Sequence, residues 1–343
     1  MEMETEEEKD LSKPFWRPRA SLWLAIVVGG IVIVRLVLNS IVEYSADDWI
    51  FVQLEANLDI ISVNRVDGSV WVKEYRNMKE PHTLHVFSGV DQSGRSAIRK
   101  IPIEVEPGFG VLEICPSKYV SVVLNWKIAR FDPQSTDEIT LNDYLAVDSH
   151  WCSALRGGSI VFWSYEDIYI DNGESVTKLE KNSNNKIIKL AQSNDGKIWV
   201  LIDKHEIFNY EEGKSKGVFF ASISEDLSIN LHTIFIGTHE GKLWIGSDDK
   251  LITINTNNPE APQEVIELED IGQLLTLEEV TLREEIWIVG SSGIIIYQNG
   301  EMRSVPLPVG NPLINDADYD PTTNRLYIAT VVGIFYLDLG GPP

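Results

Sequence analysis

"DGKIWVLIDKHEIFNY" (195–210) and "EGKLWIGSDDKLITIN" (240–255) align without a gap. Each opens on a polar turn ending in Gly196 or Gly241. A basic residue, an aliphatic, Trp199 or Trp244, and a second apolar segment follow. Asp-Gly before an alternating apolar run is a hairpin signal, because the turn needs left-handed backbone angles. One chain therefore writes the same hairpin twice.

The unit recurs along the chain. Trp287 in "EEIWIVGSSGIIIYQNG" lies 43 residues after Trp244, and Tyr327 in "NRLYIATVVGIFYLDLG" lies 40 further on. Backward from Trp199, Val161 in "GGSIVFWSYEDIYIDNG" is 38 residues away. Val120 in "SKYVSVVLNWKIARFD" is another 41 and Trp71 in "DGSVWVKEY" another 49. Seven short-strand units at this period predict an all-β fold, a seven-bladed β-propeller.

Within one unit, "KIIKLAQ" (186–192) reads as an innermost strand, "KIWVLI" as the second, "EIFNY" as the third and "GVFF" as part of the fourth. Isolated hairpins are marginal in water, so each blade must bury its faces against its neighbours. Trp71, Trp199, Trp244 and Trp287 are accordingly read as core between blades rather than ligand-stacking groups. The last unit stops at "GGPP" without a fourth strand. The apolar "DWIFVQLEA" (48–56) is expected to supply it, closing a propeller over 47–340 and covering an edge that would otherwise template aggregation.

Ahead of the propeller, residues 20–42 read as a single membrane-spanning helix. Leu22–Val42 would be about 31 Å long, matching a hydrocarbon core of about 30 Å. Arg35 is past the centre and is expected to snorkel to the far surface. No good cleavage pattern follows, so the helix is read as an uncleaved signal anchor. Lys13, Arg17 and Arg19 precede it, and Glu43, Asp47 and Asp48 follow. The positive-inside rule then places the acidic tail, residues 1–19, in the cytoplasm and the propeller outside. The tail reads as disordered. No asparagine stands in an N-x-[ST] sequon, which fits a bacterial source.

The 343 residues carry a net charge of −23, which disfavours a phosphate-backbone partner. Cys115 and Cys152 are the only cysteines, with no CxxC for zinc or thiol exchange. The expectation is two separate buried thiols, a single disulfide being the alternative.

"GKIWV", "GKLWIGS" and "EEIWIVGSSGIIIY" resemble the propeller repeats of two-component-regulator type, with WD40-like architecture. The match is good over about 195–300 and loose elsewhere. That resemblance implies an extracytoplasmic sensor or adaptor domain, here without an attached kinase. "DPTTNRLYIATVVGIFYLD" also resembles repeats of sialidase-like and photosystem-assembly-type propellers. The Asp-box of sialidases and the Gly-His and Trp-Asp signatures of WD40 repeats are missing.

The chemistry-bearing motifs are sparse. His82 and His85 form an HxxH on a predicted strand or loop, where they would not share a face. "DADYD" (Asp316, Asp318, Asp320) resembles the start of a calcium loop, yet lacks the glycine and distal glutamate. No nucleophile elbow, phosphate loop or dinucleotide fingerprint occurs. No catalytic residue, metal site or cofactor is predicted. One constellation follows from topology. The loops between second and third strands share one face, and three successive ones hold Glu166 and Asp167, Asp203 and His205, and Asp248 and Asp249. They form a candidate rim for a basic partner or a cation, set against the frequency of polar residues in tight turns.

The expected function is non-catalytic: binding of a membrane-proximal protein partner or a ligand. The alternative is a lyase- or hydrolase-type enzyme with its site at the channel mouth. A polar, convergent channel would favour the enzyme. An aliphatic pocket beside an exposed apolar patch would favour the adaptor.

Overall fold

The computed structural model describes residues 44–340 except 53–57, 65–66, 75–81, 91–95, 105–110, 125, 132–138, 141–143, 156–157, 182–184, 193–195, 204, 212–213, 225–226, 228–234, 240, 247–249 and 281–282. The predicted tail and the membrane-spanning helix over 20–42 lie outside the described residues. Among those described, no helix is long and apolar enough to cross a membrane.

Seven antiparallel sheets form the propeller. The innermost strands, in blade order, are Leu58–Val63, Val111–Pro116, Trp151–Ala154, Ile187–Gln192, Phe235–His239, Leu274–Val280 and Ile314–Asp320. The second strands are Val70–Glu74, Val120–Leu124, Ile160–Trp163, Ile198–Ile202, Lys242–Gly246, Glu285–Gly290 and Arg325–Thr330. They carry the repeated motif and are almost continuously buried, because both of their faces meet neighbouring blades. Trp71, Trp244 and Trp287 are each no more than 1% exposed, and Trp199 is also buried. In blades 1, 4 and 5 the motif tryptophan leans on the next blade. Trp71 packs with Ile114 and Val122 of blade 2, and Trp199 with Leu243 and Ile245 of blade 5. Trp244 packs with Ile286 and Ile288 of blade 6.

Blade 7 takes its fourth strand from the other end of the propeller. Trp49–Val52 pairs antiparallel with Gly333–Asp338, Trp49 opposite Leu337 and Val52 opposite Ile334. The Trp49 indole N–H donates to the Pro306 carbonyl at 2.8 Å, tying this strand to the connector from blade 6.

Two features depart from the regular pattern. In blade 1 the third and fourth strands, His82–Val90 and Ser96–Glu104, are long. A short strand from the blade 2 insertion, Ile139–Thr140, pairs parallel with the fourth. The other departure corrects the expectation of separate thiols: Cys115 and Cys152 form a disulfide, with Cα atoms 6.1 Å apart. They stand on the innermost strands of blades 2 and 3, which the ring brings side by side despite a separation of 37 residues.

Candidate functional site

In five of the innermost strands the register with the second strand slips by one residue near the start. The slips fall between Leu58 and Ile60, Val111 and Glu113, Ile187 and Lys189, Leu274 and Thr276, and Ile314 and Asp316. A bulge re-aims the side chains that follow it. Here Ile60, Glu113, Lys189, Thr276 and Asp316 all line one central cavity of about 380 Å³. Asp59, Glu278 and Asp318 join them, so the described wall carries five carboxylates and one lysine. The channel is thus polar and convergent.

Several of these groups also hold the ring together. The Lys73 ammonium donates to Asp59 at 2.6 Å and to the Val111 carbonyl at 2.9 Å, spanning blades 1 and 2. Asp316 and Asp318 accept from the backbone N–H groups of Ile61 at 2.9 Å and Val63 at 2.7 Å. An innermost strand has one unpaired edge, and these carboxylates satisfy part of it across the closure between blades 7 and 1. Asp320 caps its own turn, accepting from the Thr322 N–H at 2.8 Å. The calcium-like "DADYD" is therefore a set of backbone caps.

The electrostatics single out Glu113. Burial pushes its carboxyl up to about 7, with Asp59 adding and with Lys189 and Lys73 pulling the other way. Burial also raises Asp316, aided by the charge of Glu113 and opposed by its two backbone hydrogen bonds. Lys189 is lowered by burial against the favourable fields of Glu113 and Asp316. Such a wall can accept a cationic group, and Glu113 can exchange a proton near neutrality.

Of the residues predicted for the acidic rim, the described ones, Glu166, Asp167, Asp203 and His205, do not line the channel. Glu166 is exposed, while Asp167 pairs with Lys178 at 2.7 Å and accepts from the Tyr169 hydroxyl at 3.1 Å. Lys181 sits in the field of both carboxylates, so basic residues interleave with them. Asp203 adopts a φ of 51°, as its tight turn requires, and its carbonyl lies 2.9 Å from the ring Nδ1 of the exposed His205. Asp248 and Asp249 lie outside the described residues. His82 and His85 both lie on the strand His82–Val90. The buried His85 ring lies 3.2 Å from Glu74. Sequence reasoning missed Glu113 and Lys189. The available signal was a lone charge inside the otherwise apolar "VLEIC" and "IIKLA".

A second cavity, of about 430 Å³, opens over blade 6. It is walled by Ile271, Ile294, Ile295, Val305, Leu307 and Leu313. Val309, Leu313, Val331 and Val332 are exposed, Val309 at 74%. The molecule thus carries both a polar channel and an aliphatic pocket beside an apolar patch.

No protein-family model and no curated protein matches the sequence. Solved structures resemble the fold. YCF48 bound to a D1 peptide matches at a TM-score of 0.60 and 17% identity, covering 88% of this chain and 99% of that one. A catalytically inactive histidine-to-alanine variant of virginiamycin B lyase from Staphylococcus aureus, with Quinupristin, matches at 0.60 and 15%, covering 84% and 97%. The extracellular domain of a protein described as a hybrid two component system, from B. thetaiotaomicron, matches at 0.60 and 12%. There 84% of this chain covers 39% of the other. At these identities the likeness shows a shared fold, the propeller, and no shared chemistry.

Proposed function

We propose that this chain is an extracytoplasmic propeller that binds a polypeptide partner through its charged channel, tethered by a single membrane helix over residues 20–42 with the N-terminus in the cytoplasm. The observation that carries the reading is the channel wall, where five carboxylates face one lysine in an open cavity. A rigid ring with such a wall suits a basic side chain or an amine better than an anion. The disulfide supports an oxidising compartment. Two structures that share the fold, one with a bound peptide and one the extracellular domain of a hybrid two component system, agree with it.

The test is equilibrium binding of fluorescent, end-blocked lysine- and arginine-containing peptides to the full-length protein in lipid nanodiscs. A cation binds the ionised carboxylate, and Glu113 ionises as pH rises through about 7. Binding should strengthen between pH 5.5 and 8, and Glu113→Gln should remove most of that dependence. Absence of saturable binding at any pH contradicts the proposal.

A second reading, a lyase- or hydrolase-type enzyme, is favoured by the same polar channel and by the near-neutral carboxyl of Glu113. Turnover of any substrate that Glu113→Gln abolishes while binding persists would establish it.

A further inference from the structure

The cavity over blade 6 is separate from the channel, and it is built from three tied segments. These are the connector 269–273, the turn 291–293, and the connector 306–313 that leads into blade 7. The Ser291 and Ser292 N–H groups donate to the Gln273 and Ile271 carbonyls at 2.8 and 2.9 Å. The Ile314 N–H donates to the Ser291 carbonyl at 3.0 Å. Gly290 and Gly293 permit this approach, because a Cβ on either would meet the Ile271 or Asp270 carbonyl oxygen at 2.2 or 2.7 Å. The cleft is therefore preformed.

Its floor and its rim differ in chemistry. Ile271, Ile294, Ile295 and Val305 form a buried apolar floor. Leu313 extends this surface outward. It precedes Ile314, which pairs with Thr330, so the exposed Val331 and Val332 lie at the same edge. At the other side stand Glu269 and Asp270, both exposed, and no lysine, arginine or histidine lines the cleft among the described residues. An apolar patch of this kind marks an interaction surface. The two carboxylates select the occupant: an anionic lipid surface would be repelled, and an aliphatic side chain next to a base would be satisfied at both ends.

We propose that this cleft docks an extended polypeptide segment, seating one leucine- or isoleucine-like side chain against Ile271 and Leu313 and pairing an adjacent lysine or arginine with Glu269 and Asp270. The partner is a protein with an exposed aliphatic-basic segment. This site stands apart from the channel, and either reading can fail alone.

The experiment measures binding of end-blocked hexapeptides containing leucine beside arginine to the full-length protein in nanodiscs. Matched peptides carry serine for leucine or glutamate for arginine. A saturating excess of the serine-for-leucine peptide occupies the channel throughout, and under that condition the proposal predicts saturable binding of the probe only with both features present. The Val309→Ser/Leu313→Ser double variant, which alters exposed positions only, should weaken binding about tenfold or more, a loss of about 1.4 kcal/mol. Glu269→Gln/Asp270→Asn should weaken it roughly two- to fivefold and flatten its salt dependence. Asparagine tolerates the φ of 59° at position 270. Glu113→Gln should leave this binding unchanged. Binding that ignores the leucine or survives all cleft changes overturns the proposal. So does finding that the cleft variants instead abolish association with phosphatidylglycerol vesicles or self-association.

Discussion

The interface between blades 2 and 3 is built differently from that between blades 4 and 5. Trp199 of blade 4 lies against Leu243, Ile245 and Ile252 of blade 5, with the ring of Phe220 edge-on at 4.8 Å. Blade 2 has no aromatic on its second strand, "VSVVL", whereas each of the other six second strands has at least one. Among the described residues, blade 2 meets blade 3 through Val123, Ile128, Ile160 and Phe162 around the bonded Cys115 and Cys152. Arg130 of blade 2 reaches both carboxylate oxygens of the buried Asp171 of blade 3, at 3.1 and 2.9 Å. A closed ring is limited by its weakest seam. Where the repeat omits its large apolar plug, a covalent bond and an ion pair to a buried carboxylate take its place.

Breaking the apolar seam should have the largest effect. Trp199→Ala removes a buried indole and should cost about 3–5 kcal/mol in chemical denaturation. The disulfide comes next. Cys115→Ala/Cys152→Ala should cost roughly 3–4 kcal/mol. A reductant should lower the melting temperature of the wild type and leave that of the double variant unchanged. Asp171→Asn weakens the ion pair of a partly exposed Arg130 and should cost about 1–2 kcal/mol. This loss should grow in the double cysteine variant if the two ties share one seam.

The smallest effect concerns the indoles themselves. The Trp71 N–H donates to Ser69 at 3.0 Å and the Trp287 N–H to Glu285 at 2.9 Å. Trp199 has Lys197 at the corresponding position, and its N–H finds no acceptor among the described residues. Ser69→Ala should therefore cost about 1 kcal/mol, measurable as a shift in the denaturation midpoint.

The difference between seams also explains what was legible in the sequence. The seven hairpins could be read because turn glycines, alternation and an aromatic are local signals, which the buried Trp71, Trp199, Trp244 and Trp287 realise in three dimensions. The disulfide could not be assigned. Its partners are 37 residues apart and become neighbours only once blades 2 and 3 stand side by side. The channel was hidden for a related reason. Whether Glu113 or Lys189 faces the axis depends on bulges, and a one-residue slip reverses the facing of a strand. The turn carboxylates Glu166 and Asp167 were easy to find because turns favour such residues, yet Lys178 and Lys181 stand among them.

The most direct test of the central claim is photo-crosslinking in native membranes. A photoreactive amino acid replaces Leu275, on the channel wall, in the full-length protein. A control places it at Met302, an exposed position on the outer strand of blade 6. A polypeptide held in the channel gives a discrete protein adduct at position 275 that is absent at 302, diminished by Glu113→Gln and competed by basic peptides. An absence of protein adducts at 275, or the same adducts at both positions, would contradict binding of a polypeptide through the channel.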